Sequence, residues 1–200
     1  MKKKKLLVLL ALLLALSLVT IVHPVTTKPP SSPTRAIDAI VSTQWLENNI
    51  DKPNLVILDV REHNLYNAGH ISGSINVPAP GNFFLCLLDP DCGFWMEVPP
   101  DDSLFATIGN AGITSNSTVV VIARTVDSPS LGPAHFGITM GARVAITLRY
   151  AGVENVAMLD GGYAKWAVEG RTTSTEPVTP SPVAYSGVTN ESMFVSKDYV

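Results

Sequence analysis

Cysteine is scarce: two residues in 200, Cys86 and Cys92. That is too few for a disulfide scaffold, and the pair lacks the C-x-x-C spacing of a thiol redox or zinc motif. Charge is thin, at 16%. With 46% apolar residues, this excludes a disordered or collagen-like chain. Lys2 to Lys5 hold four of the 14 basic side chains; setting them aside leaves ten against 17 acidic ones, a net of −7. Nucleic acids bind through a basic face, so no nucleic-acid partner is expected. The chain has no phosphate-binding glycine loop, dinucleotide fingerprint or G-x-S-x-G elbow. His63 and His70 have no third ligand at metal spacing. Neither a cofactor nor a metal is expected.

The chain opens with a positive segment, Met1 to Lys5, and an apolar run from Leu6 to Val22 broken only by Ser17 and Thr20. Residues 1–22 read as a signal peptide or membrane anchor, with the lysines kept on the cytoplasmic side and the rest extracytoplasmic, periplasmic or secreted. Residues 6–22 lie at the short end of bilayer-spanning length, enough to anchor the chain in the cytoplasmic membrane if the leader is uncleaved. Residues 23–35, rich in Pro, Thr and Ser, read as an extended tether.

Strand and helix signals alternate beyond the tether. Ser42 is a good N-cap for a helix through Trp45. Leu55-Val56-Ile57-Leu58 is a continuous apolar run, as in a strand covered on both faces. A helix with Leu65 and Tyr66 on one side ends near Gly69, and a short strand, Ser74 to Val77, stops at Pro78. Residues 101–110 predict a helix with an acidic first turn, and 118–122 a strand. Residues 133–150 predict a longer helix using Ile138, Ala142, Ala145 and Leu148. Val156 to Leu159 predicts a further strand, followed by Gly161-Gly162 and a helix carrying Trp166. The alternation implies an α/β fold with a parallel sheet and helices on both faces. It occupies 36–171, and the Pro/Thr/Ser-rich residues 172–190 read as a second linker.

The residues Val41-Ser42, Asp59-Val60-Arg61-Glu62, Tyr66, Gly69 to Pro78, and Leu159-Asp160-Gly161-Gly162 with Trp166 resemble, in this order, a rhodanese (thiosulfate sulfurtransferase) domain. The resemblance implies a central parallel sheet of about five strands. It makes Asp59, Arg61, Gly69, His70, Gly73, Asp160, Gly161, Gly162 and Trp166 residues of the family's structural motif. In active members a cysteine closes the strand that corresponds here to Val119 to Ile122, leading into a loop of backbone amides before a helix. Amide nest and helix dipole lower the thiol pKa, and the thiolate takes the outer sulfur of thiosulfate, holds it as a persulfide and passes it to cyanide or a thiol. Here that position is Ala123, and Arg124 to His135 form a longer loop without sulfur. No catalytic residue can be assigned.

Cys86 and Cys92 lie in an insertion around Asp89-Pro90-Asp91 and lack the arginine of a C-x5-R phosphatase loop. In an exported domain they can close a turn as a disulfide, worth about 2–2.5 kcal/mol for so short a loop; the competing reading is a redox or sulfur-carrying pair. His135 reads as a surface residue.

Near the C-terminus, Phe194 to Val200 repeats the pattern of Ile40 to Leu46: apolar, Val, Ser, two variable residues, aromatic, apolar. Residues 191–200 then read as the start of a truncated second rhodanese domain. Two functions are compatible with this. The first is a non-catalytic N-terminal domain of an exported sulfurtransferase, using thiosulfate or 3-mercaptopyruvate as donor, whose partner is a catalytic second domain of the same polypeptide. The alternative is a complete, inactive, membrane-tethered binding module, taking small sulfur-containing anions at most.

Overall fold

The structure, a computed structural model, describes residues 35–79, 82–84 and 97–194. The leader, most of the tether, Cys86, Cys92 and residues 195–200 lie outside them. Among the described residues, no helix is long and apolar enough to cross a membrane.

Among the described residues seven strands and five α-helices follow one another: β1 (Ile40–Val41), α1 (Thr43–Glu47), β2 (Leu55–Asp59), α2 (His63–Ala68), β3 (His70–Ile71), β4 (Ile75–Asn76), α3 (Asp101–Asn110), β5 (Thr118–Ile122), α4 (Ala134–Tyr150), β6 (Asn155–Leu159), α5 (Gly162–Val168) and β7 (Thr173–Ser174). The main sheet has five strands in the order β1-β6-β5-β2-β4, and every pairing is parallel. β3 and β7 form a separate antiparallel pair. The alternating strand and helix signals thus give the expected α/β fold. The two-residue β1, which no run of apolar residues announces, completes the five.

β5 lies at the centre because its side chains are apolar on both faces. Val119 and Val121 join one core with Leu104, Ile108, Val144 and Leu148 of α3 and α4. Val120 and Ile122 join the other, with Leu46 of α1 and Trp166 of α5. Ser42 caps α1 by accepting from the Trp45 amide at 3.0 Å, a bond worth about 1 kcal/mol.

α4 departs from the periodicity reading. Its buried residues are Gly141, Val144, Thr147 and Leu148, whereas Ile138 is 42% exposed and Ala142 and Ala145 only half-buried. The reason is close approach. A Cβ on Gly137 would run into the Arg124 carbonyl oxygen, and one on Gly141 would lie 2.6 Å from the Ala123 methyl. The small residues therefore face the sheet, and the helix turns its isoleucines outward.

The stretch read as a second linker is laid along the domain. Thr173–Ser174 pairs with β3, and the Val178 amide donates to the Tyr66 hydroxyl. The Val183 amide donates to the Gly109 carbonyl and the Tyr185 hydroxyl to the Ala151 carbonyl at 2.7 Å. Finally, the Asn190 amide donates to the Tyr150 carbonyl at the end of α4.

Candidate functional site

Parallel strands bring their carboxyl ends to one edge of the sheet, and the loops that leave that edge form the site. Asp59 and Ile122 are register partners at this edge, so the residue after Ile122 emerges beside the Asp59-Val60-Arg61 turn. That residue is Ala123, 3% exposed. It lines a cavity of about 290 Å³ together with Arg61, Leu65, Arg124, Val126 and Tyr163. A larger groove, about 480 Å³, flanks Leu55 to Ile57 at the amino end of β2, away from this edge.

Of the motif residues, Asp59 and Arg61 form a buried ion pair. The Arg61 Nη2 donates to Asp59 Oδ2 at 2.6 Å and its Nε to Oδ1 at 2.9 Å; Nη2 also donates to the Gly69 carbonyl at 2.9 Å. The guanidinium carbon lies 4.2 Å from the centroid of the Tyr163 ring. Asn76 closes this corner, donating its amide to the carbonyls of Asp59 and Arg61 at 2.9 Å each. Arg61 thus lends the cavity a wall whose charge is already matched by a carboxylate.

His70 is fully buried and stacked on Tyr66 with ring centroids 3.7 Å apart. Its ring nitrogens face the carbonyls of Tyr66 and Glu176 at 2.9 and 3.1 Å. It therefore ties the β3 turn to the C-terminal segment and stays away from the cavity. Gly73 supplies the positive φ of 82° in the turn between β3 and β4. Gly161 and Gly162, at φ 69° and 55°, turn the chain from β6 into α5. A Cβ on Gly162 would meet the Ala123 carbonyl oxygen at 2.5 Å, so the bare backbone lets the two loops touch. Asp160 and Lys165 form an exposed pair at 2.6 Å, which raises the Lys165 ammonium pKa through the hydrogen bond and charge of Asp160. Trp166 is buried and donates to the Thr172 carbonyl at 2.9 Å. His63 and His135 are exposed, and His135 leans against Phe136 at 4.5 Å. Among the described residues, no three His, Cys, Asp or Glu side chains gather as a metal site.

Within the loop after Ala123 several side chains and amides pair with loop carbonyls and carboxylate, while the buried Arg124 Nε has no partner among the described residues. Arg124, 6% exposed, folds back into it. Its Nη1 donates to the carbonyls of Val126 and Gly132 at 2.7 and 2.9 Å, and its Nη2 to Leu131 at 2.9 Å. The Thr125 hydroxyl donates to the Gly161 carbonyl at 2.7 Å. The amides of Ser128 and Gly132 exchange bonds with each other's carbonyls, and that of Leu131 donates to the Ser128 hydroxyl. Pro129 and Pro133 have no amide hydrogen to offer. At the start of α4 the Ala134 amide donates to the Asp127 carboxylate at 2.7 Å, so an anion from the chain itself sits where the helix dipole attracts one. Neither role is legible in the residue types of the loop. A basic residue following a strand and an Asp seven positions before a helix start carry no signal that they will fold onto each other's backbone.

A β/α sheet whose carboxyl edge gathers the Asp-x-Arg turn, the strand-closing residue and a loop leading into a long helix is the architecture of the rhodaneses. The chain matches the rhodanese-like domain over residues 42–169 and belongs to that family. A Synechococcus elongatus relative is 29% identical over 136 residues, covering 68% of this chain and 38% of its own. The Rattus norvegicus thiosulfate sulfurtransferase is 27% identical over 176 residues, 81% of this chain and 54% of its own. The chain therefore spans about half or less of these relatives' lengths. Among solved structures, wild-type EanB is similar at a TM-score of 0.58 and 25% identity, over 76% of this chain and 37% of that one. SseA from Escherichia coli, described as a 3-mercaptopyruvate sulfotransferase, shares the fold at a TM-score of 0.58 and 20% identity, over 77% and 58%.

Proposed function

We propose that this chain is a non-catalytic rhodanese domain of an exported sulfurtransferase, supporting a catalytic second domain that carries the sulfur. The observation that carries the reading is Ala123: a buried methyl stands at the end of β5, on the wall of the cavity. A methyl group has no lone pair to take sulfur from a donor. The surrounding loop favours the same reading. Its carbonyls surround the Arg124 guanidinium, and the Asp127 carboxylate caps the helix that would otherwise stabilise a thiolate. The two-domain organisation is supported by longer relatives, of which this chain covers 38% and 54%, and by the residue pattern of Ile40 to Leu46 recurring at Phe194 to Val200. Export, with tethering through residues 6–22, is supported by the lysine cluster and the apolar run.

The test is steady-state formation of thiocyanate from thiosulfate and cyanide by the purified chain. The expected rate is that of the heat-denatured control. A higher rate, lost in Cys86→Ser or Cys92→Ser, would overturn the reading and assign the chemistry to the insertion.

A further inference from the structure

The cavity beside Ala123 lies at the carboxyl edge of the sheet, yet its wall is ill matched to a small anion. Leu65, Ala68, Ala123, Val126 and Ala164 line it with carbon. Two guanidinium groups also stand in the wall, and each is already engaged. Arg61 meets the Asp59 carboxylate through Nε and Nη2. Arg124 donates through Nη1 and Nη2 to the carbonyls of Val126, Gly132 and Leu131, and the Asp127 carboxylate of the same loop holds the start of α4. Two cations are thus set against two carboxylates in this corner. The Thr125 hydroxyl is spent on the Gly161 carbonyl. An anion entering here gives up its hydration for guanidinium groups whose charge is already shared, which disfavours its transfer from water.

Water is poorly served by the same wall. A volume of about 290 Å³ is the liquid share of roughly ten water molecules. Against carbon they lose hydrogen bonds that they regain in bulk, so an apolar molecule that displaces them gains free energy. The room comes from short side chains: Ala68, Ala123 and Ala164 present only methyl groups. An uncharged ring compound of about ten non-hydrogen atoms suits that volume.

We infer that the Ala123 cavity is a binding site for a small, uncharged, apolar ring compound and that it rejects thiosulfate, an inference that rests on the non-catalytic reading above. Leu65, Val126 and the three alanines supply the contact. The paired arginines give no advantage to a charged ligand.

The test is titration calorimetry of the purified 200-residue chain with indole as the probe. Indole-2-carboxylate serves as the same ring bearing a charge, and thiosulfate as the competitor. Indole is expected to bind at least about tenfold more tightly than its carboxylate. Thiosulfate is expected to leave the indole affinity as it is in sodium chloride of equal ionic strength. Ala164→Leu enlarges a lining side chain and is expected to weaken indole binding at least about tenfold; Leu65→Trp is its independent repeat. Ser72→Trp, in the groove at the amino end of β2, is the control and leaves binding unchanged. Absence of saturable indole binding, an equal affinity for the carboxylate, displacement by thiosulfate, or loss of binding in Ser72→Trp alone overturns the inference while leaving the non-catalytic reading intact. Sulfur passed from thiosulfate to the chain, read by intact mass, overturns that reading, and the inference with it.

Discussion

Ala123 carries the proposal of a non-catalytic domain, and its neighbours decide what an introduced thiol could do. Ala123→Cys places sulfur in a cavity with an apolar wall, beside a loop whose carbonyls face Arg124 and whose helix start is capped by Asp127. The expected thiol alkylates slowly at neutral pH, no faster than an unactivated cysteine. Iodoacetamide kinetics followed by intact mass would show this, and rapid alkylation would show that the amide cradle survives. The Asp59–Arg61 pair is a second decisive point. Both side chains are at least 94% buried, so Asp59→Ala strands a buried guanidinium and is expected to lower unfolding stability by about 3–5 kcal/mol in urea titration. A loss below 1 kcal/mol would mean that water reaches the arginine. The substitution at position 123 was legible in the sequence, because the surrounding motifs fix the alignment of β5. The filling of the loop by Arg124 and Asp127 was not, because it depends on backbone directions that residue types do not encode.

Among the elements, α4 shows where periodicity misleads. Counting apolar residues at helical spacing selects Ile138 as a core residue, since it is larger than Gly141. Contact with the sheet instead selects Gly137 and Gly141, which alone fit against Arg124 and Ala123. Gly141→Ala measures that preference. Helix propensity gains up to about 1 kcal/mol, while a Cβ 2.6 Å from the Ala123 methyl costs about 1–3 kcal/mol in overpacking. Net destabilisation is expected in thermal unfolding, and a raised Tm would contradict the close packing. The parallel sheet, by contrast, was readable from β2, β5 and β6, whose apolar runs have no polar face to show to water, while its count of about five strands came from the family resemblance. β1, at two residues, was too short for any pattern to announce.

The C-terminal segment makes the same point. Its composition suggests a linker, but Tyr185 anchors it to the Ala151 carbonyl. Burial, with the charge of Glu154 adding, pushes the Tyr185 phenol up to about 12. A tyrosine in the unfolded chain ionises near 10, so the unfolded state loses its proton first as the pH rises. The contribution of Tyr185 is whole below about pH 10 and is lost as the pH climbs through about 12. Tyr185→Phe is therefore expected to show a smaller fall in Tm than the parent between about pH 9 and 11. Parallel Tm curves would mean that the phenol is solvated.

For the whole molecule, a rhodanese fold is retained with its motif residues in place while the strand-closing position carries no sulfur. Family and fold follow from the matched residues 42–169; the proposed absence of catalysis rests on one side chain and the loop around it. The most direct measurement is the intact mass of the purified 200-residue chain after incubation with thiosulfate, recorded before and after cyanide. One unchanged mass is expected throughout. A gain of one sulfur atom that cyanide removes would contradict it.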